Sequence, residues 1–205
     1  MSDQNQQQQP ELIRSVTVPM PTDYGDFAMT VFTEAETGKE HMLLVLGDVA
    51  SETAPMVRIH SECATGDLFA SERCDCGEQL QASLRMMSEQ GSGVLLYLRQ
   101  EGRGIGLANK LRAYQLQDQG LDTVDANLAL GLPADGRDYR IAAIMLEELG
   151  ISEIRLLTNN PAKLTGLQAL GIRVRQRLPL QVRYRTRNLG YMKTKQQRMG
   201  HRVLL

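Results

Sequence analysis

The sequence has no tryptophan, three phenylalanines, three histidines and three cysteines among its 205 residues. Aromatic residues make up 4% of the chain, which leaves few stacking platforms for single-stranded nucleic acid, and no nucleic-acid partner is expected. Long apolar runs are missing as well. The longest, such as residues 42–46 and 141–146, fall far short of the roughly 20 residues that a bilayer demands, so no membrane span is expected. Residues 1–10 are polar and glutamine-rich and have neither the basic start nor the apolar stretch of an export signal. They read as a disordered leader, with a cytoplasmic address by default. An odd number of cysteines without an export signal argues against a disulfide framework and for metal or redox chemistry.

Acidic residues are absent from one region. Residues 173–205 hold ten Lys/Arg and no Asp/Glu, which leaves 13 basic against 24 acidic residues before them. A basic tail suits a polyanion, or is simply solvated. Arg173, Arg175 and Arg177 alternate with apolar neighbours, as on the outer face of a strand. From about residue 181 the pattern weakens, and that tail is expected to be flexible.

What is present has ordinary globular composition, 42% hydrophobic and 23% charged. Strand patterns over residues 12–18, 27–32, 42–49 and 56–60 make the first half strand-rich. Helical spacing covers 78–90, with Leu80, Leu84 and Met87 in register, and a short buried strand follows at 94–98. The second half alternates: a helix at 107–119 with Leu107, Leu111, Tyr114 and Leu116 on its apolar side, then a helix at 139–149. A strand at 154–157, a helix at 161–170 and a strand at 172–175 complete it. Such alternation predicts an α/β fold (α+β being the variant), one domain over residues 11–205.

Cys63, Cys74 and Cys76 lie within fourteen residues. Thiolates favour zinc or iron–sulfur chemistry. Three readings are open: a closed structural site completed by His60, an open catalytic site with water as fourth ligand, or buried thiols without metal. The zinc deaminase pattern is imitated by His60-Ser61-Glu62 but fails at the cysteines, which form C-x-C without a preceding proline.

Two segments suit phosphate. Glu101-Gly102-Arg103-Gly104-Ile105-Gly106 follows a strand and opens a helix, and Arg103 can fork onto a phosphate. Thr158-Asn159-Asn160-Pro161-Ala162-Lys163 joins a strand to a helix, where ligands of open α/β sheets bind. Asn160 and Pro161 read as N-cap and first helical residue, but Lys163 opposes the helix dipole unless an anion is present. Asp135-Gly136-Arg137-Asp138 has the composition of an ordinary turn.

Taken together, Arg58-Ile59-His60-Ser61-Glu62-Cys63, Arg73-Cys74-Asp75-Cys76-Gly77, Arg99 to Leu107, Tyr114-Gln115-Leu116-Gln117-Asp118-Gln119-Gly120, Asp122 to Asn127 and Leu156 to Pro161 resemble, in order, the GTP cyclohydrolase II family. The likeness covers roughly residues 12–200. It implies ring opening of GTP, with release of formate and pyrophosphate, at the entry to riboflavin synthesis. It implies zinc on Cys63, Cys74 and Cys76, Mg2+ with the triphosphate, and a homodimer. GTP contacts are implied at Arg58, Ile59, His60, Ser61, Glu62, Gln79, Glu101, Gly102, Arg103, Thr123, Thr158 and Lys163. Tyr114 would assist the ring chemistry, Asp135 would accept a proton, and Arg137 would act on the α-phosphate. An always-protonated guanidinium is a poor nucleophile and a ready charge clamp, so the role of Arg137 is left open. No second domain for 3,4-dihydroxy-2-butanone 4-phosphate synthesis is expected in this length. Two alternatives stand beside the resemblance: an enzyme that performs only part of the reaction, and a zinc-stabilised nucleic-acid-binding module.

Overall fold

A computed structural model of the chain describes residues 9–182 and 188–201. Most of the expected leader, and residues 183–187 and 202–205 of the expected flexible tail, lie outside the described residues. Seven strands form one mixed sheet: β1 (Leu12–Thr22), β2 (Gly25–Glu34), β3 (Glu40–Leu46), β4 (Met56–Ser61), β5 (Gly93–Leu98), β6 (Glu153–Leu157) and β7 (Arg173–Leu178). Their order across the sheet is β1-β2-β3-β5-β4-β6-β7. The first three strands and β5 pair antiparallel, whereas β5-β4-β6-β7 run parallel. This is the expected α/β fold.

Helices cover both faces of the parallel half, as parallel strands require. Alternation along β4 sorts its side chains. Val57 and Ile59 join Val94, Leu96, Leu98 and Leu156 under α5 (Arg140–Glu148) and α6 (Pro161–Ala169), where Met145, Leu146 and Leu167 are fully buried. Met56 faces the other way, toward Leu95, Leu157 and Met87 of α2 (Cys76–Gln90). Arg58 and His60 share the parity of Met56, so they emerge on the α2 face. The carboxyl ends of β4, β5 and β6 therefore open onto the loops that carry the cysteines, the glycine turn and the Thr158 segment.

Local signals set the helix ends. Asn160 accepts from Ala162 N with Pro161 at the first helical position, as the sequence suggests. Asp122 accepts from Val124 N and Asp125 N at the start of α4 (Thr123–Ala129). That seven-residue helix was not expected, because it is too short for apolar periodicity to show.

α3 (Leu107–Asp118) corrects an expectation. Leu107 and Leu111 are 42% and 52% exposed, while Lys110 and Ala113 are buried. The helix turns a partly polar face inward because that face closes the cysteine site. α7 (Leu189–Met199), within the tail expected to be flexible and for which no element was assigned, also packs inward, with Met192 and Lys195 buried. α1 (Ala64–Asp67) is a single turn after Cys63.

Candidate active site

Two close approaches of backbone build the cysteine cluster. A Cβ on Gly77 would lie 2.2 Å from the carbonyl oxygen of Gly66, and one on Gly66 would lie 3.0 Å from Cys74 Sγ and 3.1 Å from Cys63 Sγ. Glycine at both positions lets the turn after Cys63 nest against the start of α2, whose first residue is Cys76 and whose preceding turn carries Cys74. The three sulfurs lie within 4.8 Å of one another, and Cys63 Sγ is 3.6 Å from Cys74 Sγ. Tetrahedral Zn–S bonds of about 2.3 Å put sulfurs about 3.8 Å apart, so the cluster has the dimensions of a metal site.

The thiols do not share charge equally. Hydrogen bonds from Cys74 and Cys76, with help from Lys110, hold Cys63 well below the usual thiol range. Its hydrogen bond and its charge push Cys74 up to about 11, and Cys76 is raised for the same reasons and by burial. Thiolates this close repel one another, and a shared cation would relieve that repulsion.

Both ring nitrogens of His60 face other side chains. Its Nε2 donates to both carboxylate oxygens of Asp67 at 3.1 Å, and its Nδ1 faces Arg58 NH2 at 3.4 Å. The group of possible metal donors that converges here is Cys63, Cys74 and Cys76, without the imidazole. Asp67 also accepts from Cys63 N at 3.0 Å and from Tyr97 OH at 2.8 Å. One buried carboxylate thus orients the imidazole and the first cysteine together, and sequence reasoning missed it.

The cysteines line one wall of a cavity. Arg58, His60, Ser61, Glu62, Gln79, Glu101, Gly102, Arg103, Tyr114, Thr123, Arg137, Thr158 and Lys163 line it too. Two expected contacts stand elsewhere. The Ile59 side chain is in the core beneath α5 and α6, and only its carbonyl reaches toward the site, accepting from Lys163 Nζ at 2.6 Å. Asp135 lies behind Arg137 and binds its guanidinium through two nitrogens, Nε at 2.8 Å and NH2.

Cations dominate the rest of the wall. Arg58 is fully buried and pulled down to about 10 by that burial, yet stays charged at neutral pH. Burial, then Arg58 and Arg137, push Lys163 well below the lysine range. A bound anion would reverse that. Arg58 Nε, Arg103 NH1, Ser61 Oγ and Asn160 Nδ2 are buried without a protein partner. Groups of that kind are satisfied when a polar ligand occupies the space beside them. Arg103 is held there by a left-handed backbone, φ +62°. A Cβ on Gly104 would meet the Gly136 carbonyl at 2.7 Å, and this approach brings Arg137 to the glycine turn.

Tyr114 stands near the cluster, its hydroxyl 3.4 Å from Thr65 Oγ1, and burial pushes its phenol up to about 12. It is a proton donor at neutral pH. Glu101 faces the cavity, but its carboxylate already accepts from Ala64 N, Gly102 N and Lys110 Nζ. Lys110, Tyr191, Lys195 and His201 also line it. Sequence reasoning passed over all four. None of them carries a local sequence signal that points to the site.

Comparison with known proteins bears on this geometry. The family model described as GTP cyclohydrolase II matches residues 13–179. The chain is 56% identical to the "GTP cyclohydrolase-2" of Acinetobacter baylyi over 186 residues, 90% of this chain and 93% of that protein. It is 53% identical to the "Riboflavin biosynthesis protein RibBA" of Bacillus velezensis over 92% of this chain and 48% of that protein. A protein of the same name from Bacillus mycoides is also 53% identical, over 92% and 47% respectively. The chain spans about half the length of these two riboflavin biosynthesis relatives.

Proposed function

This chain belongs to the GTP cyclohydrolase II family, and we propose that it opens the imidazole ring of GTP with release of formate and pyrophosphate. The product is 2,5-diamino-6-(5-phosphoribosylamino)pyrimidin-4(3H)-one, and the reaction is the first step of riboflavin biosynthesis. One observation carries the reading: a single cavity brings three converging thiols together with a set of buried cationic and unpartnered polar groups. Metal chemistry and anion binding share one site.

The donor set fits zinc. Three sulfurs at near-tetrahedral spacing, with the nearby imidazole engaged elsewhere, match an ion that keeps one position open toward the cavity. Bound there, zinc supplies Lewis acidity and an activated water for the ring carbon. Cys63, Cys74 and Cys76 hold it, and Tyr114 donates a proton or hydrogen bond to the ring as it opens.

The cations receive the triphosphate. Arg58, Arg103 and Lys163 are placed to meet phosphate oxygens, with Thr158 and Thr123 as neutral donors. Mg2+ accompanies the triphosphate in this reading. Arg137, held flat by Asp135, acts as a charge clamp on the α-phosphate as pyrophosphate leaves. Gln79, which accepts from Arg58 NH2 at 2.8 Å and donates to Asp75 at 2.5 Å, links the phosphate end to the cysteine turn. The working unit is a homodimer of cytoplasmic address.

Incubation of the purified protein with GTP and Mg2+ tests the proposal. Formate, pyrophosphate and the diaminopyrimidine should all form, and a chelator should abolish all three. Ring-opened nucleotide without formate would reduce the activity to a partial reaction. Absence of every product would overturn it.

A further inference from the structure

Lys110 lies at the start of α3, with its backbone N–H on Gly106 O at 3.1 Å. Its ammonium is buried, 3.1 Å from Cys63 Sγ and 2.8 Å from Glu101 Oε1. It cannot swing away freely. Glu101 is itself fixed, with Oε2 on Ala64 N and Oε1 on Gly102 N, both at 2.6 Å. The carboxylate thus ties the turn after Cys63 to the glycine turn and presents the ammonium to the sulfur.

Charge explains the use of a lysine there. Three thiolates exceed the charge of a divalent ion by one negative unit, and the Glu101 carboxylate deepens the excess. An ion so ligated is a weak acceptor for water or a carbonyl. An ammonium on one sulfur draws electron density from it, through a charge-assisted hydrogen bond of the stronger kind. We propose that Lys110 is a positioning residue of the metal centre: clamped by Glu101, it hydrogen-bonds the Cys63 thiolate and so keeps the ion held by the three sulfurs a competent acceptor. The inference rests on the metal-bearing reading of the cluster given above. Partners of metal ligands commonly act in this way, orienting the ligand and tuning the ion.

Cobalt-loaded protein gives a readout separate from activity. Cobalt(II) accepts the same sulfur donors, and its thiolate-to-metal charge-transfer bands report the energy of the sulfur lone pairs. A hydrogen bond lowers those lone pairs and moves the band to shorter wavelength. Lys110→Met should therefore shift the band to longer wavelength, and Lys110→Arg should return it toward the wild-type position. In the zinc-loaded Lys110→Met protein, formate release should fall about 10- to 100-fold. A lysine with a merely structural role would lower the melting temperature and leave the band in place. An unmoved band in folded, cobalt-loaded Lys110→Met overturns the inference. Should that variant not fold, Lys110→Gln, which keeps a donor without the charge, should show a smaller shift in the same direction, and an unmoved band there overturns the inference equally. Failure of the parent reading is distinct: the wild-type protein itself would then show no thiolate-to-cobalt band.

Discussion

Lys195 Nζ of α7 stands 2.5 Å from Oδ1 of Asp75, the N-cap of α2, which lies between Cys74 and Cys76. The pair is buried, with 8% and 0% of the two side chains exposed. Burial alone pushes the Asp75 carboxyl up, but Lys195 and the hydrogen bond from Gln79 outweigh it and hold it below its ordinary value. Tyr191 lies on the same helix, its ring 4.7 Å from Lys195 Nζ and 5.9 Å from the Arg103 guanidinium. Of the basic residues of this helix, Lys195 turns inward onto the wall of the cavity, whereas Lys193 is exposed and Arg198 pairs with Asp122 and Asp125 at the surface.

Removing one partner of a buried pair strands the other. Lys195→Met is expected to lower stability by about 3–5 kcal/mol, read as a drop in the urea midpoint at unchanged slope. It should also loosen the cysteine turn and reduce zinc content. A loss under about 1 kcal/mol with full zinc content would show that α7 does not hold the turn.

Steric arguments give a second expectation. Gly77→Ala places a methyl 2.2 Å from the Gly66 carbonyl, a backbone clash that requires movement and costs about 1–3 kcal/mol. Gly66→Ala directs its methyl at two sulfurs, so its stability loss should be smaller and its loss of bound zinc larger. Zinc content and melting temperature, measured on both variants, check this opposite ranking. Equal effects on both quantities would contradict it.

Arg137 remains charged because Asp135 raises it further against the effect of burial. Arg137→Ala should cost about 10²–10³ in pyrophosphate release, the usual loss when a charge-stabilising donor is removed. Arg137→Lys should recover part of that, since a point charge replaces a fork. If Lys recovers nothing beyond Ala, a clamp is the wrong description and a role specific to the guanidinium is required.

Stability should also depend on pH through the histidines. Burial lowers His41, and burial with Lys195, Arg137 and Arg103 pushes His201 down to about 3. Between those folded values and the unfolded value of about 6.5, the unfolded chain binds more protons, so stability falls as the solution is acidified. The melting temperature should decline from pH 6.5 toward pH 4, ahead of the ordinary carboxylates. His201→Gln should make that decline shallower. A flat profile over this window in the wild-type protein would refute the prediction.

Much of this was legible in the residues because the forces concerned are local. Cysteine count and spacing marked the cysteine cluster, Asn160 and Pro161 marked the start of α6, and period-two or helical patterning found all seven strands and the positions of α2, α3, α5 and α6. These signals depend on a few neighbouring residues, and solvent or backbone geometry enforces them directly. The burial of α3 was misread for a physical reason: apolar spacing assumes an apolar neighbour, and here the neighbour is a charged pocket that takes Lys110 and leaves Leu107 and Leu111 exposed. Only the tertiary structure could place Lys110 on a sulfur 47 residues away and Lys195 on Asp75, 120 residues away. Pairings at that distance are decided by how the sheet orders its strands and where the helices cross it. A buried charge finds its partner there, and no sequence window is wide enough to contain both.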